Sequence, residues 1–385
     1  MTQRAQAWFL YPARPDEVGK PAELRFEEFS LRAIAADEVL AEPLYGAWGA
    51  NMYHALQRKP IDVCKQRGEP RVILGNAGVV RVLQVGADVV GVREGQLAML
   101  FSASGIDRYG YPEKALAYDA TGTMGCLSTR MILRRHELLP LPPGTRHALP
   151  RWAAFSGSHI TAWSNWELAF GTLRLQLPAD ELPRPHVFGW GGGTTLAELE
   201  LAQRHGCHSV AISASERRLS HIAQLGLAAL DRRLFADLNF DEARFASEPE
   251  YRRAYIVAES IFLREVNRLT DGEKVHVFID YIGTPVFRAT LRALARQGVV
   301  TTAGWREGMN LSFLRAGECI ARHQFIHTHY ARYPQGVAAT EYAEQHGWLP
   351  IMDQRIYRFD EIPELSRAST AGELGFYTAF SINRE

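Results

Sequence analysis

Cysteine is scarce: the 385-residue chain has four, Cys64, Cys126, Cys207 and Cys319, far apart and with no C-x-x-C pair. A disulfide-stapled scaffold and a four-cysteine structural zinc are thereby excluded. Net charge is missing as well, since 43 Lys and Arg balance 43 Asp and Glu. Such a chain has no global attraction for polyphosphate, which argues against a nucleic-acid or anionic-membrane binder. No run approaches the ~18 apolar residues of a membrane span. The short apolar stretch Ala7 to Tyr11 meets Pro12 too soon for a signal-peptide core. Repeats and low-complexity tracts are absent, so solenoids and disordered tails drop out. The expectation is a soluble, cytoplasmic globular protein. With 46% of residues apolar, it can bury a sizeable core.

The first ~150 residues hold short apolar runs broken by Gly and Pro, the texture of a β-rich domain. Val79 to Gly86 and Leu97 to Phe101 are expected as strands, and Leu138 to Gly144 as a connector. After Pro150 the texture changes. Trp152 to Phe170 reads as a helix. Strands are then expected at His186–Phe188, Ser209–Ile212, Val275–Asp280 and Val299–Thr302. Helices are expected between them at Leu196–His205, Glu216–Leu225 and Val286–Arg296, with Gly206 and Gly226 as C-terminal caps. Short, wholly apolar strands alternating with helices imply a doubly wound parallel sheet, and the chain returns to mixed short segments near its end.

Gly189-Trp190-Gly191-Gly192-Gly193-Thr194-Thr195 stands at the first strand-to-helix turn of this series. Glycines there let backbone approach a pyrophosphate, and the helix N-terminus stabilises its charge. A plain turn would explain a glycine run alone; the second strand following within ~20 residues favours the dinucleotide reading. Thr195 is taken as the residue at the third-glycine place of that fingerprint. At the end of the second strand, Ser213, Ser215, Arg217 and Arg218 offer hydroxyls and guanidiniums where an NAD site generally has a carboxylate. A ribose 2′-phosphate wants those donors, so NADPH is expected over NADH. Glu216 is the competing signal, and Ser215 also suits a helix cap.

The order of these features resembles the medium-chain dehydrogenase/reductase superfamily. Tyr45 to Tyr53 resembles its early active-site segment, and Gly75-Asn76-Ala77-Gly78 through Gly86 its glycine-rich strand. Thr161-Ala162-Trp163 resembles the start of the helix before the Rossmann unit, and Phe278 to Gly283 the fourth Rossmann strand. The resemblance implies an α/β protein, with a GroES-like β-rich domain at 1–155 and 331–385 around a Rossmann domain at 156–330. It implies cofactor contacts from Thr161, Gly189, Gly191, Gly192, Gly193, Thr194, Tyr281 and Gly304, and a homodimer or tetramer. The zinc-dependent branch has Cys-Gly-Ser/Thr-Asp and Gly-His-Glu where this chain reads Trp48-Gly49-Ala50-Asn51 and Gly75-Asn76-Ala77. Neither indole nor amide replaces thiolate and imidazole on zinc, so no metal is expected.

Two features resemble the crotonyl-CoA carboxylase/reductase and enoyl-thioester reductase group. One is the long charged insertion Asp241 to Lys274; the other is Phe325 to Tyr333, similar to Ile-Gly-Ser-His-Phe-Ala-Asn-Tyr. His329 falls on that motif's active-site histidine, while Arg332 replaces its asparagine. The resemblance implies NADPH-dependent reduction of an enoyl thioester, on CoA or a carrier protein. Asn51, Tyr53 and His329 are the expected catalytic groups, with His54 a lesser candidate. Trp163 and Trp166 are expected as core or pocket wall. Quinone or enone reduction, and a non-catalytic nucleotide-binding role, stay open as alternatives.

Overall fold

The computed structural model describes residues 3–18, 20–304, 308, 310–328 and 330–384. The chain divides into two compact units, one of Met1–Ile160 with Tyr330–Glu385, the other of Thr161–His329. Among the described residues, no helix is long and apolar enough to cross a membrane.

The first unit is built on antiparallel strands. Glu38–Ala47 pairs with Gly78–Val85, which pairs in turn with Leu97–Leu100. Alternation along Gly78–Val85 sends Val80 and Val82 into the core, while Arg81 lies opposite Glu42, 2.9 Å from its carboxylate. Leu138–Pro140 is not a connector: it is a strand on Leu97–Leu100. The chain's end returns to this sheet, Ala379–Ser381 pairing with Tyr45 to Ala47.

The second unit holds a six-stranded, all-parallel sheet. In spatial order its strands are Ala228–Asp231, His208–Ser213, His186–Trp190, Val275–Asp280, Leu294–Thr302 and Gln324–His327. The third, second and first strands in chain order thus precede the fourth, fifth and sixth, the doubly wound order of dinucleotide-binding folds. His186–Trp190 and Val275–Asp280 are buried throughout, as strands covered on both faces must be. Gly206 and Gly226 follow their helices with φ of +82° and +69°, as expected of caps.

Three local expectations are corrected. Asp241 to Lys274 is the crossover into the fourth strand, and most of it is the helix Pro249–Leu269. That helix lays Tyr255, Phe262 and Val266 on the sheet, Phe262 stacking on Trp190 at 5.1 Å. The next helix ends at Ala293, because Leu294 to Arg296 already belong to a strand. Thr161 does not open a helix; it sits inside Leu149–Gln176.

Candidate functional site

Strand order reverses between His186–Trp190 and Val275–Asp280, so a crevice opens at their C-terminal ends. The glycine turn leaves the first of these strands and Tyr281 follows the second. The helix Gly193–Arg204 starts from Gly192 with no side-chain cap, an N-terminus suited to an anion. Glycine is required here by close approach. A Cβ at Gly189 would lie 2.7 Å from Thr195 Cγ2, and one at Gly191 would lie 3.2 Å from Tyr281 Cβ and 3.1 Å from Thr195 Cβ. Counted from Gly189, the third-glycine place is Thr194, not Thr195. Thr195 is instead the buried side chain that fills the space left bare by Gly189 and Gly191. Its hydroxyl has no hydrogen-bond partner among the described residues.

At the end of His208–Ser213, Ser213 is buried and its hydroxyl accepts from the Ser215 N–H at 3.4 Å. Ser215 occupies the N-cap of Glu216–Gln224 without bonding through its side chain. Arg217 and Arg218 stand in that helix's first turn, with Arg217 exposed. Glu216 is held by Arg233 at 2.5 Å, and Arg233 also binds Asp231 at the end of the third strand. The guanidinium keeps the Asp231 carboxyl below its ordinary range.

Tyr281 is turned into the unit. Its hydroxyl donates to Glu198 Oε2 at 3.1 Å and accepts from Asn165 Nδ2 at 2.8 Å. Its ring lines the floor beneath Gly304, whose Cβ, if present, would lie 3.3 Å from Tyr281 Cδ1. The Gly304 N–H in turn donates to Thr302 Oγ1 at 3.2 Å. The sequence reading missed the two partners, Asn165 and Glu198, since each passes for an ordinary helix residue. Trp166 is core, stacked on Phe170 at 4.6 Å, and Trp163 donates to Glu167 at 2.9 Å. A recess of about 560 Å³ lies at the opposite, N-terminal ends of the strands, beside Lys274, Leu294 and His323. Open α/β sheets bind ligands at the other end, so it is not the candidate site.

In the first unit, Asn51 and Tyr53 lie on the helix Ala50–Gln57. Asn51 Nδ2 donates to Asn76 Oδ1 at 2.7 Å, and Asn76 Nδ2 donates to Ser102 at 2.8 Å. Asn76, at the place expected to have lost a ligand imidazole, is thus engaged by a neighbouring amide and a hydroxyl. Trp48 is buried against Phe380, its indole N–H without a partner among the described residues. Among those residues no three His, Cys, Asp or Glu side chains converge as a metal site. Tyr53 packs edge-on to His54 at 5.8 Å. His329 lies outside the described residues. Burial pushes the thiols of Cys64, Cys126 and Cys207 up to about 12, which leaves them unreactive.

No protein-family model matches the chain. Solved structures do. The crotonyl-CoA carboxylase/reductase AntE in complex with NADP is 19% identical, over 99% of this chain and 95% of that one, with a TM-score of 0.79. The 2-octenoyl-CoA carboxylase reductase CinF, in complex with NADP and 2-octenoyl-CoA, is 19% identical over 98% of this chain and 88% of that one, with a TM-score of 0.79. The alcohol dehydrogenase of the archaeon Aeropyrum pernix is 19% identical over 98% and 99%, with a TM-score of 0.76. At such identities the likeness establishes the fold alone: a β-rich domain with a Rossmann-like parallel-sheet domain.

Proposed function

We propose that this protein is an NADPH-dependent, zinc-free reductase of the C=C bond of an α,β-unsaturated acyl thioester. The observation that carries the reading is the crevice at the strand reversal, where a helix N-terminus without a side-chain cap meets a turn too tight for a Cβ at Gly189 or Gly191. A dinucleotide fits these residues. Gly191, Gly192, Gly193 and Thr194 take the pyrophosphate, and Gly189 lets the helix pack close. Ser213, Ser215, Arg217 and Arg218 take the 2′-phosphate, an assignment helped by the neutralisation of Glu216 by Arg233. Tyr281 and Gly304 form the floor, and Thr161 meets the nicotinamide. The proteins AntE and CinF, of the same fold, are described in complex with NADP.

NADPH supplies a hydride for the substrate's β-carbon. The chain must then stabilise a thioester enolate and protonate the α-carbon. Asn51 orients the thioester, its amide fixed by Asn76. Tyr53 and His329 supply the proton, directly or through water. The acyl thioester class is favoured by CinF, described with 2-octenoyl-CoA.

The test is NADPH oxidation with short and branched enoyl-CoAs and carrier-bound enoyls, with and without bicarbonate. Reduced acyl thioester as product supports the reading. Turnover of quinones or free enones alone replaces it with a small-molecule reductase, and NADPH binding without turnover of any of these makes the protein non-catalytic.

A further inference from the structure

The helix that opens at the glycine turn carries an acid in its second turn, on its buried face. Glu198 is 0% exposed. Two groups meet its carboxylate, from two other elements. Asn165, on Leu149–Gln176, donates through Nδ2 at 2.8 and 3.1 Å, and Tyr281 donates its hydroxyl at 3.1 Å. Asn165 faces the other way with its carbonyl, which accepts from Thr301 at 2.7 Å and Thr328 at 2.6 Å. One amide therefore ties the acid to the ends of the fifth and sixth strands. The unit's other buried acids are engaged elsewhere: Asp280 accepts from Ile282, Gly283 and Thr290, Glu200 pairs with Arg204, and Glu259 pairs with Arg292 and Arg288 and accepts from Tyr255. Tyr281 is the one titratable group facing Glu198 among the described residues.

We propose that Glu198 is a positioning residue whose proton sets how tightly the crevice holds an anionic dinucleotide. This deepens the proposed NADPH site and rests on it. The same Tyr281 whose hydroxyl reaches Glu198 abuts Gly191 through its Cβ and Gly304 through its ring, so the network lies directly under the crevice floor. Glu198 is five residues past Gly193, on the order of 8 Å along the helix axis. Ionised, it sets a buried negative charge behind the positive end of the helix, opposing the pyrophosphate. Protonated, it removes that charge and gains an O–H donor while keeping acceptor lone pairs, so its bond from the Tyr281 hydroxyl weakens. Burial pushes the carboxyl up to about 8, against the pull of Asn165 and Tyr281. The change of state thus falls in an accessible range.

The experiment is NADPH binding by the whole chain, followed by cofactor fluorescence from pH 7 to 9.5, above the second ionisation of a phosphate monoester at about 6. Thermal melts check that each variant is folded. In the wild type, the Kd rises about ten-fold as pH climbs through 8. Glu198→Gln holds the low-pH affinity throughout. Tyr281→Phe removes a donor to the carboxylate and moves the midpoint of the wild-type rise to higher pH, which a merely structural role would not do. If Glu198→Gln fails to fold, the Tyr281→Phe midpoint decides. A pH-independent Kd in the wild type, a rise that persists in Glu198→Gln, or an unmoved midpoint in Tyr281→Phe overturns the inference while leaving the NADPH site intact. No NADPH binding at any pH overturns both.

Discussion

Arg233 holds Glu216 and Asp231 together: its Nη1 is 2.5 Å from the Glu216 carboxylate, and its Nε is 2.9 Å from Asp231. All three side chains reach solvent, so the cluster adds little to stability. Its consequence is electrostatic. Asp231 pairs with Ser213 at the end of the second strand and Glu216 follows three residues later, where an acid would favour a ribose 2′-hydroxyl and repel a 2′-phosphate. One guanidinium offsets one of the two charges, and with Arg217 and Arg218 the five side chains sum to a net +1.

Changing Arg217 and Arg218 together to Ala is expected to raise the Kd for NADPH ten-fold or more and leave that for NADH nearly unchanged. Charge-assisted bonds to a phosphate are worth about 1.5–3 kcal/mol each, which sets the scale. Arg233→Ala, which uncovers Glu216 and Asp231, is expected to weaken NADPH selectively as well. Binding titrations with both cofactors check this, and equal losses for the two would refute the assignment.

Metal independence is expected from Trp48 and from the amide chain Asn51–Asn76–Ser102. An Asn76 that already accepts from Asn51 and donates to Ser102 has no imidazole or thiolate to offer zinc. Purified protein is expected to hold no stoichiometric zinc by elemental analysis and to keep its turnover in chelator. One zinc per chain that tracks activity would contradict it.

Acid is expected to destabilise the second unit through His276. Its Nδ1 accepts the His186 N–H at 3.0 Å, and its ring stacks on His186 at 5.7 Å, which stacks on His208 at 5.1 Å. Burial, with the charge of His186, lowers His276 to about 4. A histidine depressed by folding is protonated first in the unfolded chain. Its contribution is therefore complete above the unfolded value of about 6.5 and is lost as pH falls toward about 4. The loss is on the order of 2–3 kcal/mol. Denaturant unfolding at pH 7.5 and 4.5 measures it: the wild type is expected to lose about 2 kcal/mol more than His276→Asn over that interval. Equal losses would clear His276.

Much of the second unit is legible because its strands are buried on both faces and read as unbroken apolar runs. Val275–Asp280 has the bounds its sequence suggests. Ala228–Asp231 escapes such a reading: it is a short, half-exposed edge strand of two alanines, a leucine and an aspartate. Pro249–Leu269 looks like a charged insertion until Tyr255, Phe262 and Val266 are seen to share one face. Prolines hide Leu138–Pro140, whose partner lies in the distant segment Leu97–Leu100. The glycine turn could be found because its constraint is local. The network beneath it could not, since Glu198 stands 33 residues from Asn165 and 83 from Tyr281, and only the folded sheet brings them together.

Proton delivery is the last expectation. Tyr53 lies on the same short helix as Asn51, one turn inside its start, and His329 follows Thr328, whose hydroxyl donates to Asn165. If these groups protonate the α-carbon, their loss lowers kcat while leaving NADPH affinity nearly unchanged, because neither is assigned to the phosphates or the ribose. Positioned acids are typically worth ~10²–10⁴-fold, more than mild repacking costs. The informative substitutions are Tyr53→Phe and His329→Asn, which preserve approximate volume and separate chemistry from packing. Solvent water can replace one lost acid, so each single change is expected to leave residual turnover. The double variant decides the matter. Its kcat is expected to fall by ~10²-fold or more, with the Kd for NADPH within about two-fold of wild type. Solvent isotope effects add a second readout, since slowed proton transfer raises the effect on kcat. A double variant with wild-type kcat would take the proton away from both residues and leave its delivery to solvent.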